Sequence, residues 1–249
     1  MVLKRKFINC LATSNELVTE MYAHFQSLIE AVRSEDRTFH LALAGGSTPR
    51  SFYRCLANRP GGEIPWQDIH LWWGDERCVP PDHIESNYRM VKETLLNHVD
   101  IPEANIHRIH GESDPESESL RYGKEMGEYM RISDENSHTL DLILLGIGED
   151  GHTASIFPDS NINADSDSCC AVTVHPVSGQ TRITLTLPVI NRSRSIIVMA
   201  TGAAKARVVA RILNKDPDGR SMPAFHVRQV KGQLYWYIDN DAAAHLETG

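Results

Sequence analysis

The stretch Leu140-Asp141-Leu142-Ile143-Leu144-Leu145-Gly146-Ile147-Gly148-Glu149-Asp150-Gly151-His152-Thr153-Ala154-Ser155 decides the reading of this chain. The apolar run Leu140 to Leu145 reads as a buried strand. It stops at two glycines, which let a backbone turn sharply and approach a ligand closely. An Asp and a His follow, one residue apart, ahead of an expected helix. Open α/β sheets hold their ligands just beyond the carboxyl ends of strands. Histidine is the side chain whose unperturbed pKa of about 6.5 suits proton transfer near neutrality. His152 is therefore the first candidate for a general base. The competing reading is a plain turn that contains a His.

The same pattern recurs on either side of this stretch. Phe39 to Ala44 is an apolar strand ending at Gly45-Gly46, and Ile69 to Gly74 is another, ending at Asp75-Glu76-Arg77. Ser195 to Ala200 is followed by Gly202 and a helix over Ala203 to Leu213, and Leu234 to Ile238 closes the set. Leu17, Met21, Phe25, Leu28 and Val32 recur at helical spacing, with Ser14 or Asn15 as the cap. Helices are also expected over Tyr88–Val99 and Glu116–Arg131. Arg182 to Leu187 alternates polar and apolar residues, the period of a half-buried strand. Apolar strands separated by helices predict an α/β fold, a mostly parallel sheet flanked by helices on both faces. Residues 112–118 and 161–168 are polar and read as exposed loops. With no repeat and no convincing linker, residues 1–249 read as one domain.

Composition narrows the function classes. The 249 residues carry 25 Lys and Arg against 33 Asp and Glu, a formal net charge of −8. No global basic field exists for nucleic acid. An anionic ligand would need a locally basic pocket. The five cysteines, Cys10, Cys55, Cys78, Cys169 and Cys170, are odd in number and form no C-x-x-C, which suits a reducing compartment. The segment Phe7–Ala12 after Lys4-Arg5-Lys6 is too short and too soon polar for an export signal. No run approaches the roughly 20 apolar residues of a membrane span. A cytoplasmic location is expected.

Three constellations offer chemistry. The first is Ala44-Gly45-Gly46-Ser47-Thr48-Pro49 between strand and helix, where backbone N–H groups at a helix start bind anions. Ser47 and Thr48 add hydroxyl donors, and Pro49 suits a first helical turn. A serine-hydrolase elbow would need Gly two residues after Ser47, where Pro49 stands, and no Gly-Lys pair follows to make a P-loop. The second is Asp75-Glu76-Arg77, where the Arg77 guanidinium fork matches oxyanions. The third is Arg182 with Lys205. A cation in a helix's first turn opposes the macrodipole, which is more easily understood if Lys205 meets an anion. Metal is not expected: His107 and His110 are three apart, but no third ligand follows at a recognisable spacing. Tyr235-Trp236-Tyr237 reads as strand packing.

Taken together, Ala44–Pro49, Gly74–Arg77 with Ser86-Asn87-Tyr88, Gly146–Pro158, Arg182–Pro188 and Thr201–Lys205 resemble the 6-phosphogluconolactonase family in order and spacing. The resemblance runs from about residue 10 to 240 and implies a Rossmann-like, sugar-phosphate isomerase-type fold. It implies hydrolysis of 6-phospho-glucono-1,5-lactone to 6-phosphogluconate, in the oxidative pentose phosphate pathway, without metal or cofactor. The implied partner is a small sugar-phosphate lactone, with no nucleic acid and no membrane, for a monomer or small homo-oligomer. His152 matches the family's Asp-Gly-His-Thr histidine and would take a proton from the attacking water. Asp150 or Asp75 would orient that imidazole, and Arg77 would help stabilise the developing oxyanion. Gly45, Gly46, Ser47, Thr48, Arg182 and Lys205 would hold the phosphate. Related glucosamine-6-phosphate deaminases carry a Glu five residues beyond the His, where this chain has Phe157, and a Tyr where it has Arg77. A sugar-phosphate sensor is the non-enzymatic alternative. Such proteins carry a DNA-binding segment, and here the first helix begins by about residue 15.

Overall fold

The strand that follows Leu140 lies in the middle of a parallel sheet. The computed structural model describes residues 6–130, 140–158, 160, 162, 168–230 and 232–247. Its strands in chain order are β1 (Lys6–Leu11), β2 (Phe39–Leu43), β3 (Ile69–Trp73), β4 (Asp75–Arg77), β5 (Ile106–His107), β6 (Leu142–Gly146), β7 (Cys170–Val174), β8 (Thr181–Leu185), β9 (Ser195–Ala200) and β10 (Gln233–Asp239). The helices are α1 (Ser14–Arg33), α2 (Ser47–Ala57), α3 (Asn87–Thr94), α4 (Pro115–Met130), α5 (Leu187–Asn191) and α6 (Ala206–Leu213). Seven strands pair in parallel in the order β1-β10-β9-β6-β2-β3-β5. Successive strand residues face opposite sides of a sheet. Phe39 meets Phe25 of α1, while its neighbour His40 meets Tyr129 of α4. A helix therefore covers each face, as expected for buried parallel strands.

The strand order reverses between β2 and β6. From β2 the chain moves outward to β3 and β5, and from β6 it moves the other way to β9 and β10. The β2–β6 ladder holds only two residue pairs, Leu41 with Leu142 and Ala42 with Ile143. Beyond them the loops after the two strands open side by side, which is where open α/β sheets take ligands.

A second, antiparallel sheet in the order β4-β8-β7 stands over this opening. The period-two pattern at 182–187 marked β8, but Asp75–Arg77 read as residues at a strand end and β7 went unread. β4 continues from β3 across Gly74, whose carbonyl accepts from the Leu185 amide. The register sets Asp75 opposite Thr184 and Arg77 opposite Arg182.

Local expectations are corrected at several points. Thr13, not Ser14 or Asn15, caps α1: its Oγ1 accepts from the Glu16 amide at 3.2 Å. Glu16 reaches back to the Ala12 amide at 3.0 Å, a variant of the capping box written in Thr13-x-x-Glu16. Ile29 rather than Leu28 is buried on that helix. The helix expected to Val99 ends at Thr94, because Leu95 leaves helical geometry, and a 3-10 turn follows at Leu96–His98. Within 112–118, α4 already starts at Pro115, and Glu118 is buried against Arg121 rather than exposed. No helix follows His152: Ala154 takes φ +48°, in the left-handed region that interrupts a helix, and Thr153 bridges to Ile156 in a tight turn. Lys4, Arg5, Arg131 and most of 161–168 lie outside the described residues.

Under α4, four aromatic and imidazole groups crowd one sheet face. His40 accepts from the Trp72 indole at 3.1 Å, and His70 Nδ1 lies 2.8 Å from His107 Nε2. His107 in turn pairs with Glu125 at 2.6 Å. Burial, then repulsion from His70, pushes His40 down to about 4. Asp141 opposes that shift, while His107 and Arg37 add to it. A histidine depressed on folding leaves stability intact above its unfolded value and withdraws it as pH falls toward the folded one. Between pH 7 and 5, unfolding free energy is expected to drop by roughly 2 kcal/mol from this group. His40→Gln, which keeps an acceptor for Trp72, should lose less. Denaturant titrations at both pH values test this, and an equal acid loss in the variant excludes His40 as the source.

Candidate active site

The loop after β6 is shaped around a carboxylate–imidazole pair. Asp150 Oδ1 lies 2.6 Å from His152 Nδ1 and also accepts the His152 amide at 3.1 Å. Because Asp150 accepts, Nδ1 carries the proton and the lone pair is left on Nε2. Partial burial pushes the Asp150 carboxyl up, but the His152 amide and imidazole outweigh it and hold it below its ordinary value. Asp150, not Asp75, is thus the carboxylate against this ring. Gly148 makes the room: a Cβ there would fall 2.1 Å from His152 Nδ1 and 2.4 Å from Asp150 Oδ1. Gly151 adopts φ +84°, and a Cβ on it would strike Met222. The Thr153 hydroxyl ties the turn to the Gly146 carbonyl at 2.9 Å. Phe157, 2 % exposed, packs on the imidazole with ring centroids 4.9 Å apart.

Across the switch point, the loop after β2 forms the start of α2. Gly46 is the N-cap at φ +108° and supplies no side-chain acceptor, so the first amides of α2 are left for a ligand. Tyr53, nearly two turns into α2, turns back on the same loop. Its hydroxyl accepts from the Ala44 amide and donates to the Ala44 carbonyl, both at 2.9 Å. Thr48 Oγ1 lies 2.7 Å from Thr201 Oγ1, which links this loop to the end of β9. Lys205 closes a 3-10 turn there and caps α6.

The second sheet supplies the remaining wall. Arg77 and Arg182, cross-strand partners, each bury an Nε without a hydrogen-bond partner among the described residues. Arg77 also donates to the Glu85 carbonyl. Desolvation, with Arg77 alongside, pushes the Arg182 guanidinium below its ordinary value. Two adjacent guanidiniums with orphaned donors favour an anion between them. One cavity is lined by Gly45, Gly46, Ser47, Thr48, Asp75, Arg77, His152, Arg182 and Lys205. Nine of the ten residues singled out from the sequence therefore meet in one place, and the tenth, Asp150, stands behind His152.

Sequence reasoning missed several contributors. Asn87 lines the cavity and packs so closely under Gly45 that a Cβ there would fall 2.2 Å from its Oδ1. Ser155 hydrogen-bonds Asp75. Glu76 is buried and accepts amides of Arg77, Asn87 and Tyr88 at 2.7 Å, and the Ser86 hydroxyl at 3.1 Å, which delivers α3 to the site. Burial pushes the Glu76 carboxyl up despite those amides. The sequence signals were the segments Asp75-Glu76-Arg77, Ser86-Asn87-Tyr88 and Gly146–Pro158, within which these residues carried no role of their own. His107 and His110 engage Glu125 and Glu118 respectively. Among the described residues no group of three or more His, Cys, Asp or Glu is arranged to hold a metal ion, and no helix is long and apolar enough to cross a membrane.

A parallel sheet with a cavity lined by Arg77, Arg182 and Lys205 and an Asp–His pair at its switch point defines an α/β protein of the kind that takes small ligands there. The chain belongs to the glucosamine-6-phosphate isomerases/6-phosphogluconolactonase family, whose pattern matches residues 12–236. It is similar to the 6-phosphogluconolactonase of Synechocystis sp., 40% identical over 207 residues, 83% of this chain and 84% of that one. Among solved structures it resembles the devB protein at 34% identity and TM-score 0.89, covering 97% of this chain and all of that one. It also resembles the 6-phosphogluconolactonase of Trypanosoma brucei at 29% identity and TM-score 0.84, covering 98% and 100%.

The fit of the loop around its dyad makes Gly148 decisive. Gly148→Ala is expected to lower kcat about 100-fold, because the Cβ forces Asp150 and His152 apart and a general base contributes roughly 10²–10⁴-fold. KM and the melting temperature should change little. Turnover within threefold of the parent shows that the ring does not need this space.

Proposed function

We propose that this protein hydrolyses 6-phospho-D-glucono-1,5-lactone to 6-phospho-D-gluconate in the oxidative pentose phosphate pathway. The observation that carries this reading is the Asp150-held imidazole beside a cavity lined by Arg77, Arg182 and Lys205. A lactone carbonyl is already electrophilic, so a positioned water and a base suffice. Water attacks C1 while His152 Nε2 takes its proton. Negative charge moves to the carbonyl oxygen, where Arg77 stabilises it. The ring C–O bond then breaks, and the imidazolium returns its proton to the departing ring oxygen. Asp150 supports the imidazolium in between. The start of α2 at Gly45–Thr48, with Arg182 and Lys205, holds the phosphate. Phe157, apolar and buried, supplies no further carboxylate beside His152, which favours hydrolysis over the deaminase or isomerase alternative. The five thiols, all unpaired, fit a reducing compartment, and we place the protein in the cytoplasm.

The direct test is acid release from freshly generated 6-phosphogluconolactone, corrected for spontaneous hydrolysis. His152→Ala should lower turnover by roughly 10²–10⁴-fold with KM little changed. A loss of less than threefold removes His152 from the mechanism.

The phosphate contacts give a separate signature. The phosphate keeps its charge between ground and transition state, so its contacts are mostly uniform binding and appear in KM. Arg182→Ala and Lys205→Ala should each raise KM roughly tenfold, and both should discriminate less against unphosphorylated gluconolactone. Loss of kcat at unchanged KM, with full preference for the phosphorylated lactone, would place these side chains elsewhere.

A further inference from the structure

Asp75 stands apart from the proton-transfer pair. It is 6 % exposed, lines the cavity, and forms no salt bridge among the described residues, although Arg182 is near enough to feel its charge. Its oxygens meet neutral donors instead. Ser155 Oγ donates to Oδ2 at 2.6 Å, and Asn87 Nδ2 approaches Oδ1 at 3.4 Å while bonding the Asp75 carbonyl at 2.9 Å. Ser155 is 0 % exposed and held on both sides. Its amide donates to Thr184 Oγ1 at 3.2 Å, and Arg182 Nη1 donates to its Oγ at 3.5 Å. With a guanidinium donating to Oγ, the hydroxyl proton is committed to Asp75. A carboxylate accepts at about four lone-pair positions, and two are used here. A buried acceptor left short of donors is costly unless a ligand completes its shell. A carboxylate itself repels a phosphate or carboxylate, while it welcomes an O–H.

We propose that Ser155 is a positioning residue that fixes the Asp75 carboxylate so that its free lone pairs accept a hydrogen bond from a ring hydroxyl of the sugar lactone. The inference rests on the proposed function for the class of substrate. It assigns different parts of the cavity lining opposite tasks. The start of α2 with Arg182 and Lys205 takes the anion, and Asp75 selects a hydroxylated ring in one orientation. Sites built to hydrogen-bond a hydroxyl reject the analogue that lacks it far more strongly than apolar pockets reject a change in size.

The experiment compares kcat/KM on the parent lactone 6-phosphate with its 2-, 3- and 4-deoxy analogues. Wild type is expected to disfavour one of the three by about tenfold or more. Ser155→Ala and the isosteric Asp75→Asn should each lower that one ratio several-fold, and the double variant should match Asp75→Asn alone, since both act through one interaction. The preference of Ser155→Ala for phosphorylated over unphosphorylated lactone should stay at the wild-type value. A Ser155→Ala enzyme slowed equally on all four lactones overturns the proposal, as does a wild type indifferent to all three deletions. If Ser155→Ala does not fold, Asp75→Asn carries the test, and full discrimination in that variant overturns the proposal. A wild type active on the parent lactone keeps these outcomes separate from failure of the proposed function, which would show as no lactonase activity.

Discussion

The short ladder between β2 and β6 is the constraint on which the site depends. Two residue pairs join these strands, and the strand order reverses there. Parallel strands present their carboxyl ends on one edge, so the Gly45 loop and the Asp150–His152 loop emerge as neighbours although about a hundred residues separate them. Everything else elaborates that opening. Thr48 and Thr201 bridge to β9, β4 turns off β3 at Gly74, and β8 brings Arg182 across from Arg77. None of these residues could be assembled by local structure alone.

The charges are distributed against the whole. A chain of net charge −8 gathers Arg77, Arg182 and Lys205 around one opening. Two of the three lose hydration there, since Arg77 and Arg182 each bury an unpartnered Nε. Two nearby acids are occupied elsewhere. Glu76 serves amides at the start of α3, and Asp150 serves the imidazole. The positive charge is thus gathered locally, with the Asp75 carboxylate set among it.

Much of this was legible in the sequence, and the boundary is physical. Apolar runs ending in glycine marked β2, β3, β6 and β9, because a strand buried on both faces must be apolar throughout. The same glycines marked the loops. His152 was readable because Asp150-Gly151-His152 is local chemistry. The second sheet was harder: Asp75–Arg77 is polar, and its strand character comes from pairing with β8, more than a hundred residues away. Ser155 and Asn87 lay within segments of the resemblance, but their roles went unread for the same reason. A serine reads as a turn residue until the carboxylate it meets is known. The helix expected after His152 failed through a single residue, Ala154, whose left-handed backbone nothing in the side chain announces.

Tyr53 spends both its donor and its acceptor on Ala44, and it belongs to the helix that Ala44 introduces. Loop and helix are therefore closed into a ring, stapled at a buried phenol whose proton burial holds firmly in place. Tyr122 of α4 treats Trp73 at the end of β3 in the same manner, through its amide at 2.7 Å and its carbonyl at 3.0 Å. Each tyrosine stands in for a missing neighbouring strand, so the two strand tips can part from the sheet without leaving amides bare. The backbone at these two tips is consequently held before any ligand arrives. At these two tips, little backbone entropy remains to be surrendered on binding.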